Sequence, residues 1–268
     1  MLIVGELLNS SRFAMRALLE AKDKTAIQKI ALAQEAAGAH YLDVNCGVFV
    51  GEETEYLCWL VDTVQEVCSL PLCLDSPDGK ALKAALPRLK NGRPLINSIS
   101  AERDRYEQIL PLALEYKAKL IALAMGDAGI PATAESKVAA ADRLYNDLRG
   151  AGVAAEDIYM DLLVQPIATT EAGAAPLLAA ASRLRVLEEE IEFIVGLSNI
   201  SYGLPNRALL NRCFLIQAVA AGIDSFILDP LDKELMGAYY AARALAGRDK
   251  YCSAYLKAHR SGYYGNIN

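Results

Sequence analysis

Phe193-Ile194-Val195-Gly196-Leu197-Ser198-Asn199-Ile200-Ser201 is an apolar run of strand character that stops abruptly in small hydrogen-bonding residues. Pro205 follows, fixing φ where a missing N–H costs nothing, and is expected to open a helix. The unit therefore reads as strand, polar loop, helix. Asn199 falls just past the strand end, where a side-chain amide can both donate to and accept from a ligand.

Outward from this stretch the same unit recurs in both directions. Strands are expected at Leu2–Val4, Tyr41–Val44, Leu72–Leu74, Leu95–Ile96, Leu120–Leu123, Ile158–Met160, Phe193–Leu197 and Phe226–Leu228. Helical periodicity fills the gaps. A helix from about Thr25 carries Ile27, Ile30 and Ala31 on one face and is stopped by Gly38. Others cover roughly Glu52 to Cys68, a start at Ser76-Pro77 with Leu82, Leu86 and Leu89 on the buried face, a face of Tyr106, Ile109, Leu110 and Ala113, and about Ala134 to Leu148. Strand and helix alternating in this way is the pattern of a parallel sheet. Eight such units in 268 residues, with no G-x-G-x-x-G after the first strand, favour a closed (β/α)8 TIM barrel over an open doubly wound sheet. Residues 1–268 read as a single domain, with no repeat or linker interrupting the series.

Composition excludes several classes. With 53% hydrophobic and 22% charged residues the chain can bury a large core. A net charge of −6 argues against nucleic acid and against anionic membrane surfaces. Six cysteines without C-x-x-C spacing fit a reducing cytoplasm, several of them lying in apolar runs as small hydrophobes. Met1-Leu2-Ile3-Val4-Gly5-Glu6 has neither the basic start of a signal peptide nor the length of a membrane span and reads as the first strand. The stretch Gln165 to Gly173 is longer than its neighbours and is either a ligand rim or an ordinary connection. The acidic run Glu188 to Glu190 reads as a solvated face, and Tyr251, Tyr255, Tyr263 and Tyr264 as packing on the barrel or on a sister subunit.

In a parallel barrel the functional side chains gather at the C-terminal ends of the strands. Here these ends carry Glu6, Asn9, Asp43, Asn45, Asp75, Asn97, Asp161, Ser198, Asn199 and Asp229. A single Asp in such a place commonly caps the next helix, but repetition at so many strand ends points to a ligand. The only histidines, His40 and His259, fall before the second strand and in the tail, so a zinc site is not expected, and no lysine stands at a strand end for Schiff-base chemistry. Asp75 with Asp161 or Asp43 offers oxygens to magnesium, yet no phosphate-binding lysine or glycine loop accompanies them, and no tightly bound metal is expected. A ring of carboxylates and amides suits a flat neutral heterocycle with alternating donors and acceptors. In a 2-amino-4-oxo pteridine, for example, the 2-amino group and adjacent N–H form a fork that a carboxylate can accept. A ligand with mismatched edges would leave buried polar groups unpaired at about 1–3 kcal/mol each.

At these residues the sequence resembles the pterin-binding barrels, the fold shared with dihydropteroate synthase. Within them it resembles the methyltetrahydrofolate:corrinoid (iron-sulfur) protein methyltransferases, including the folate-binding region of cobalamin-dependent methionine synthase. The resemblance covers nearly the whole chain. It is carried by Gly5-Glu6-Leu7-Leu8-Asn9, Gly38 to Gly47, Leu72-Cys73-Leu74-Asp75-Ser76, Leu95-Ile96-Asn97-Ser98, Tyr159 to Leu163, Gly196-Leu197-Ser198-Asn199 and Asn206-Arg207.

The resemblance implies that Asp75, Asn97 and Asp161 hold the pterin, with Asn45, Ser198, Asp43, Glu6 and Arg207 in the binding site and Asn199 as the catalytic residue beside N5. It implies methyl exchange between N5 of tetrahydrofolate or methyltetrahydrofolate and cobalt, as methyltetrahydrofolate plus Co(I) against tetrahydrofolate plus methyl-Co(III), in a direction the residues do not state. The cobalamin belongs to a separate corrinoid protein, because the only H-x-x-G, His259 to Gly262, lacks the Asp expected two residues earlier and a following domain. A cytoplasmic homodimer is implied likewise. Dihydropteroate synthase itself fits less well, since its strand-seven Ser-Arg-Lys is here Ser198-Asn199-Ile200 and its strand-eight Arg and His are absent after Asp229. A non-catalytic folate-binding subunit is the remaining alternative.

Overall fold

A computed structural model describes residues 2–187 and 190–264. Eight parallel strands close on themselves in sequence order. They are β1 (Ile3–Asn9), β2 (Tyr41–Asn45), β3 (Leu72–Asp75), β4 (Leu95–Ala101), β5 (Lys119–Gly126), β6 (Ile158–Asp161), β7 (Glu192–Gly196) and β8 (Ser225–Leu228). Around them lie α1 (Phe13–Glu20), α2 (Lys24–Ala36), α3 (Glu53–Gln65), α4 (Gly79–Ala85), α5 (Arg103–Glu115), α6 (Ala134–Gly150), α7 (Ala175–Leu187), α8 (Arg207–Ala220), α9 (Lys233–Leu245) and α10 (Ser253–Arg260). The fold is the expected (β/α)8 barrel.

Alternation of side chains along each strand divides the core into two shells. Leu42, Val44, Leu72, Leu74, Ile96 and Leu120 face the helices, in the larger apolar layer. Leu2, Val4, Tyr41, Cys73, Leu95, Ile121, Tyr159 and Ile194 fill the barrel itself. The N-terminal end is closed by side chains that spend their polar tips on the wall: Tyr41 donates to Arg93 O at 3.0 Å, Lys119 Nζ to Tyr159 at 3.3 Å, and the Leu2 N–H to Ser225 Oγ at 2.9 Å. His40 belongs to this end too, its Nδ1 accepting from the Ile3 N–H, away from the strand-end crown.

Several boundaries differ from those expected. β1, β4 and β5 run on past Val4, Ile96 and Leu123, because backbone pairing continues through polar residues, as where Ile99 and Ser100 pair with Ala122 and Leu123. The bonds of a ladder do not depend on side-chain polarity. β1 has an irregularity between Gly5 and Leu8, where the Leu7 N–H is taken by the buried Gln34 amide oxygen at 3.1 Å. Gly5 is required there, since a Cβ would collide with that amide. Helix α1 is an addition to the expected series. The helix expected over Leu82, Leu86 and Leu89 ends at Ala85 and continues as a 3-10 turn, Leu86–Arg88, that contains Pro87. Pro205 does not open α8: the helix starts at Arg207, after Asn206 turns the chain in the left-handed region at φ 50°. Asn tolerates that conformation well.

All six cysteines are free, four buried and Cys213 and Cys252 exposed. In the tail, the Tyr263 ring meets Tyr240 on α9 at 5.7 Å and Tyr264 lies 4.7 Å from Tyr255, whereas Tyr251 is exposed. Of the acidic run, Glu190 is exposed and residues 188 and 189 lie outside the described residues.

Leu42 is wholly buried between barrel and helices, so Leu42→Ala is expected to lower the unfolding free energy by about 2–5 kcal/mol in urea titration. Leu32→Ala, on the exposed face of α2, should stay within about 0.5 kcal/mol of the parent.

Candidate active site at the barrel mouth

The alternation that fills the barrel with apolar groups ends, on most strands, with a polar residue on the same inward face. Tyr41 is followed inward by Asp43 and Asn45, Cys73 by Asp75, Leu95 by Asn97, and Tyr159 by Asp161. Register then brings three of these residues level, Asn45 pairing with Asp75 and Asp75 with Asn97 across three adjacent strands. Asp43 lies one step lower, opposite Cys73, and Asp161 on β6 stands opposite Leu123 of β5.

Within it, Asn45 Nδ2 donates to Asp75 Oδ2 at 2.9 Å. The other end of that amide is fixed as well, since Asn45 Oδ1 accepts from Ser10 Oγ at 2.8 Å and from the Gly47 N–H at 3.1 Å. Asn97 Nδ2 approaches Asp43 Oδ1 at 3.5 Å. Asp75 Oδ1 and Asn97 Oδ1 accept no hydrogen bond among the described residues, leaving acceptors for a ligand. Asp161 Oδ1 receives the Leu163 N–H at 2.7 Å, and the backbone of Gly196 on the neighbouring strand also favours the charged form of this carboxylate.

Burial governs the charge of these groups, because a carboxylate withdrawn from water loses hydration that its neighbours only partly replace. Asp75 and Asp161 are each pushed up to about 6 by burial. Asp43, 1% exposed, is driven well above the ordinary carboxylate range by burial and then by the charge of Asp75. The layer therefore offers two carboxylates ionised at neutral pH beside one that favours its proton.

On the opposite wall stands the loop after β7, a 3-10 turn over Leu197–Ser201. Glu6 on β1 accepts from Ser198 Oγ at 2.8 and 3.0 Å and pairs with Arg12 at 2.9 Å. Its acidity is weakened chiefly by burial. Arg207, from the start of α8, donates to Ser198 O at 2.6 Å and to Ser201 Oγ at 3.0 Å. Ser198, Glu6 and Arg207 thus brace the turn that carries Asn199. Asn199 itself is exposed, and its side chain makes no hydrogen bond among the described residues. Its amide folds back over Gly196, 3.0 Å from where a Cβ would stand. Asn9 and Asp229 are spent locally, on the Ser11 and Leu231 backbone N–H groups.

Sequence reasoning missed two cations behind this layer. Arg105 on α5 donates to Ser76 O, Pro77 O and Ser98 O at 2.8, 2.7 and 2.8 Å. Lys137 on α6, 3% exposed, donates to Leu162 O at 2.7 Å. A lysine on the buried face of an amphipathic helix is the one signal that could have revealed Lys137. Among the described residues no group of three or more His, Cys, Asp or Glu is disposed to hold a metal ion.

The pterin binding enzyme family matches this chain over residues 6–229. The methylcorrinoid:tetrahydrofolate methyltransferase of Eubacterium limosum is 36% identical over 269 residues, covering 100% of this chain and 99% of that protein. Methionine synthase of Mycobacterium tuberculosis is 33% identical over 241 residues, which span 85% of this chain but 20% of that much longer protein. Among solved structures, Yersinia pestis dihydropteroate synthase superposes with a TM-score of 0.68 at 16% identity, covering 92% of this chain and 93% of its own, a likeness of fold.

Two outcomes follow from the geometry. The raised Asp161 is protonated more readily folded than unfolded, so its ionisation costs stability as pH rises from about 4 to about 6. Asp161→Asn should therefore be more stable than the parent by about 1–3 kcal/mol at pH 8 in denaturant titrations, with the gain vanishing toward pH 4. Gly196→Ala should displace the Asn199 amide while leaving the fold intact, seen as a changed Asn199 side-chain NMR resonance with an unchanged far-ultraviolet spectrum.

Proposed function

Because this chain belongs to the pterin binding enzyme family, we propose that it is a methyltransferase moving a methyl group between N5 of tetrahydrofolate and the cobalt of a corrinoid held by a separate protein. The observation that carries this reading is the level row of Asn45, Asp75 and Asn97, with Asp75 Oδ1 and Asn97 Oδ1 unspent, in a chain that is 36% identical over its full length to a methylcorrinoid:tetrahydrofolate methyltransferase. All of residues 1–268 is read as one pterin-binding barrel domain. The protein works in this reading as a cytoplasmic homodimer with a corrinoid protein as partner, and takes no nucleic acid or membrane; no described helix is long and apolar enough to cross a bilayer.

The pterin ring enters the crown edge-on. Asp75 and Asp161, ionised at neutral pH, accept from its 2-amino group and ring N–H groups, and Asn97 matches an edge that both donates and accepts. Asp43 is drawn toward its protonated, donating form by burial and then by the charge of Asp75, and Asn45 holds Asp75 in orientation. The ring then lies across the mouth with N5 toward the β7 loop. The partner's cobalt supplies the hard chemistry, attacking the methyl group or releasing it.

What this chain must do is manage charge at N5. A tertiary amine leaves poorly unless N5 takes up a proton from solvent as the C–N bond breaks, and in reverse the N5 lone pair attacks and the N5 proton returns to solvent. Asn199 serves both directions because its amide carries no fixed charge and is not committed to another protein group. Glu6, Ser198 and Arg207 hold its loop steady, which limits the reorganisation needed as the methyl moves.

Incubation of the purified protein with methylcobalamin plus tetrahydrofolate, and with reduced cobalamin plus methyltetrahydrofolate, tests the reading; cobalamin spectra should report methyl transfer in at least one arm. Tetrahydrofolate binding without transfer in either arm would favour a binding subunit. Asn199→Ala should lower kcat by about a hundredfold while the folate dissociation constant stays within about threefold. Asp75→Ala should instead chiefly weaken folate binding, measured by calorimetry.

A further inference from the structure

Burial presents the crown with a problem. Carboxylates withdrawn from water drift toward protonation, yet a pterin fork needs ionised acceptors, and a salt bridge would restore charge only by occupying the oxygens the ligand requires. Asp75 faces Asp43 on β2 and Glu53 on α3, both of which disfavour its charge, and Arg105 on α5, which favours it. Asp161 faces Lys137 on α6.

Neither cation bonds to its carboxylate. Arg105 directs all three of its nitrogens at backbone carbonyls, two in the loop directly after Asp75 and one at Ser98, directly after Asn97. Lys137 Nζ holds Leu162 O at 2.7 Å and Leu163 O at 3.4 Å, in the loop directly after Asp161. That loop turns through Leu163 at φ 63°, a left-handed conformation uncommon for leucine, and the same turn aims the Leu163 N–H at Asp161 Oδ1. The two sites share one plan. A helix neighbouring the strand sends up a cation that locks the loop past the carboxylate and acts on its charge through space.

Resting on the pterin reading above, we propose that Arg105 and Lys137 are positioning residues for folate recognition: Arg105 sets Asp75 and Asn97, and Lys137 sets Asp161, by gripping the backbone beyond each while leaving the carboxylate oxygens to the ligand. Their contribution is both geometric and electrostatic. A lysine at 105 keeps the charge but cannot present three nitrogens in a rigid fork. A methionine at 137 keeps the length of the side chain and loses the charge.

The test measures tetrahydrofolate binding by anaerobic calorimetry across pH for the wild type, Arg105→Gln, Arg105→Lys and Lys137→Met, with the Asp75 and Asp161 carboxyl carbons followed by NMR in the ligand-free proteins. Arg105→Gln and Lys137→Met are expected to weaken binding about tenfold at pH 7.5. Each should also move the acidic midpoint of its own carboxylate upward by about one unit, leaving the other unmoved. Arg105→Lys should restore the midpoint but not the affinity. A merely structural role would lower thermal stability without moving either midpoint. Wild-type binding matched by both charge-removing variants, with unchanged midpoints, overturns the inference alone. Failure of the wild type to bind tetrahydrofolate overturns the functional reading, and with it the ligand named here.

Discussion

Burying carboxylates at the open end of a closed barrel is the constraint from which the other features of this mouth follow. The barrel supplies a low-dielectric floor of Cys73, Leu95, Ile121 and Tyr159 directly beneath Asp75, Asn97 and Asp161. In that position an acid is held near neutrality, and small differences in its surroundings decide whether it accepts or donates. Asp43, buried and crowded by Asp75, is pushed furthest toward protonation, while Asp75 and Asp161, each with a cation behind it, are raised to about 6. A layer of similar side chains thereby acquires distinct hydrogen-bonding characters.

The two walls of the mouth differ in how they are restrained. Around Asp75 and Asp161 the restraint comes from backbone carbonyls gripped by Arg105 and Lys137, and it leaves ligand-facing oxygens unspent. Around Asn199 it comes from Glu6, Ser198 and Arg207, which hold the loop from two sides and leave the amide uncommitted. Gly196 joins the walls: its backbone favours the charge on Asp161, and its missing Cβ makes room for the Asn199 side chain. Both walls are thus held through their backbones, and the side chains at the mouth are left with unspent hydrogen-bonding groups.

Much of this is legible in the order of residues along the chain. Alternating strand and helix patterns point to the closed barrel, and polar residues ending apolar runs mark Asp75, Asn97, Asp161 and Asn199 as facing one mouth. Boundaries are less legible where the ladder runs through polar residues, as in β1, β4 and β5, because side-chain polarity and backbone pairing are separate properties. Pro205 also misleads, since the turn into α8 is made by the left-handed Asn206 one residue further on.

The sequence by itself determined the architecture and the identity of the crown, because both depend on periodicity along the chain, and periodicity is local. Only the tertiary structure decided the register that makes Asn45, Asp75 and Asn97 level, the partners that set each acid's proton affinity, and the reach of Arg105 and Lys137 into loops distant in sequence. Those depend on closure of the barrel. Electrostatic and hydrogen-bonding interactions act across space between residues that only folding brings together, so no window along the chain contains them.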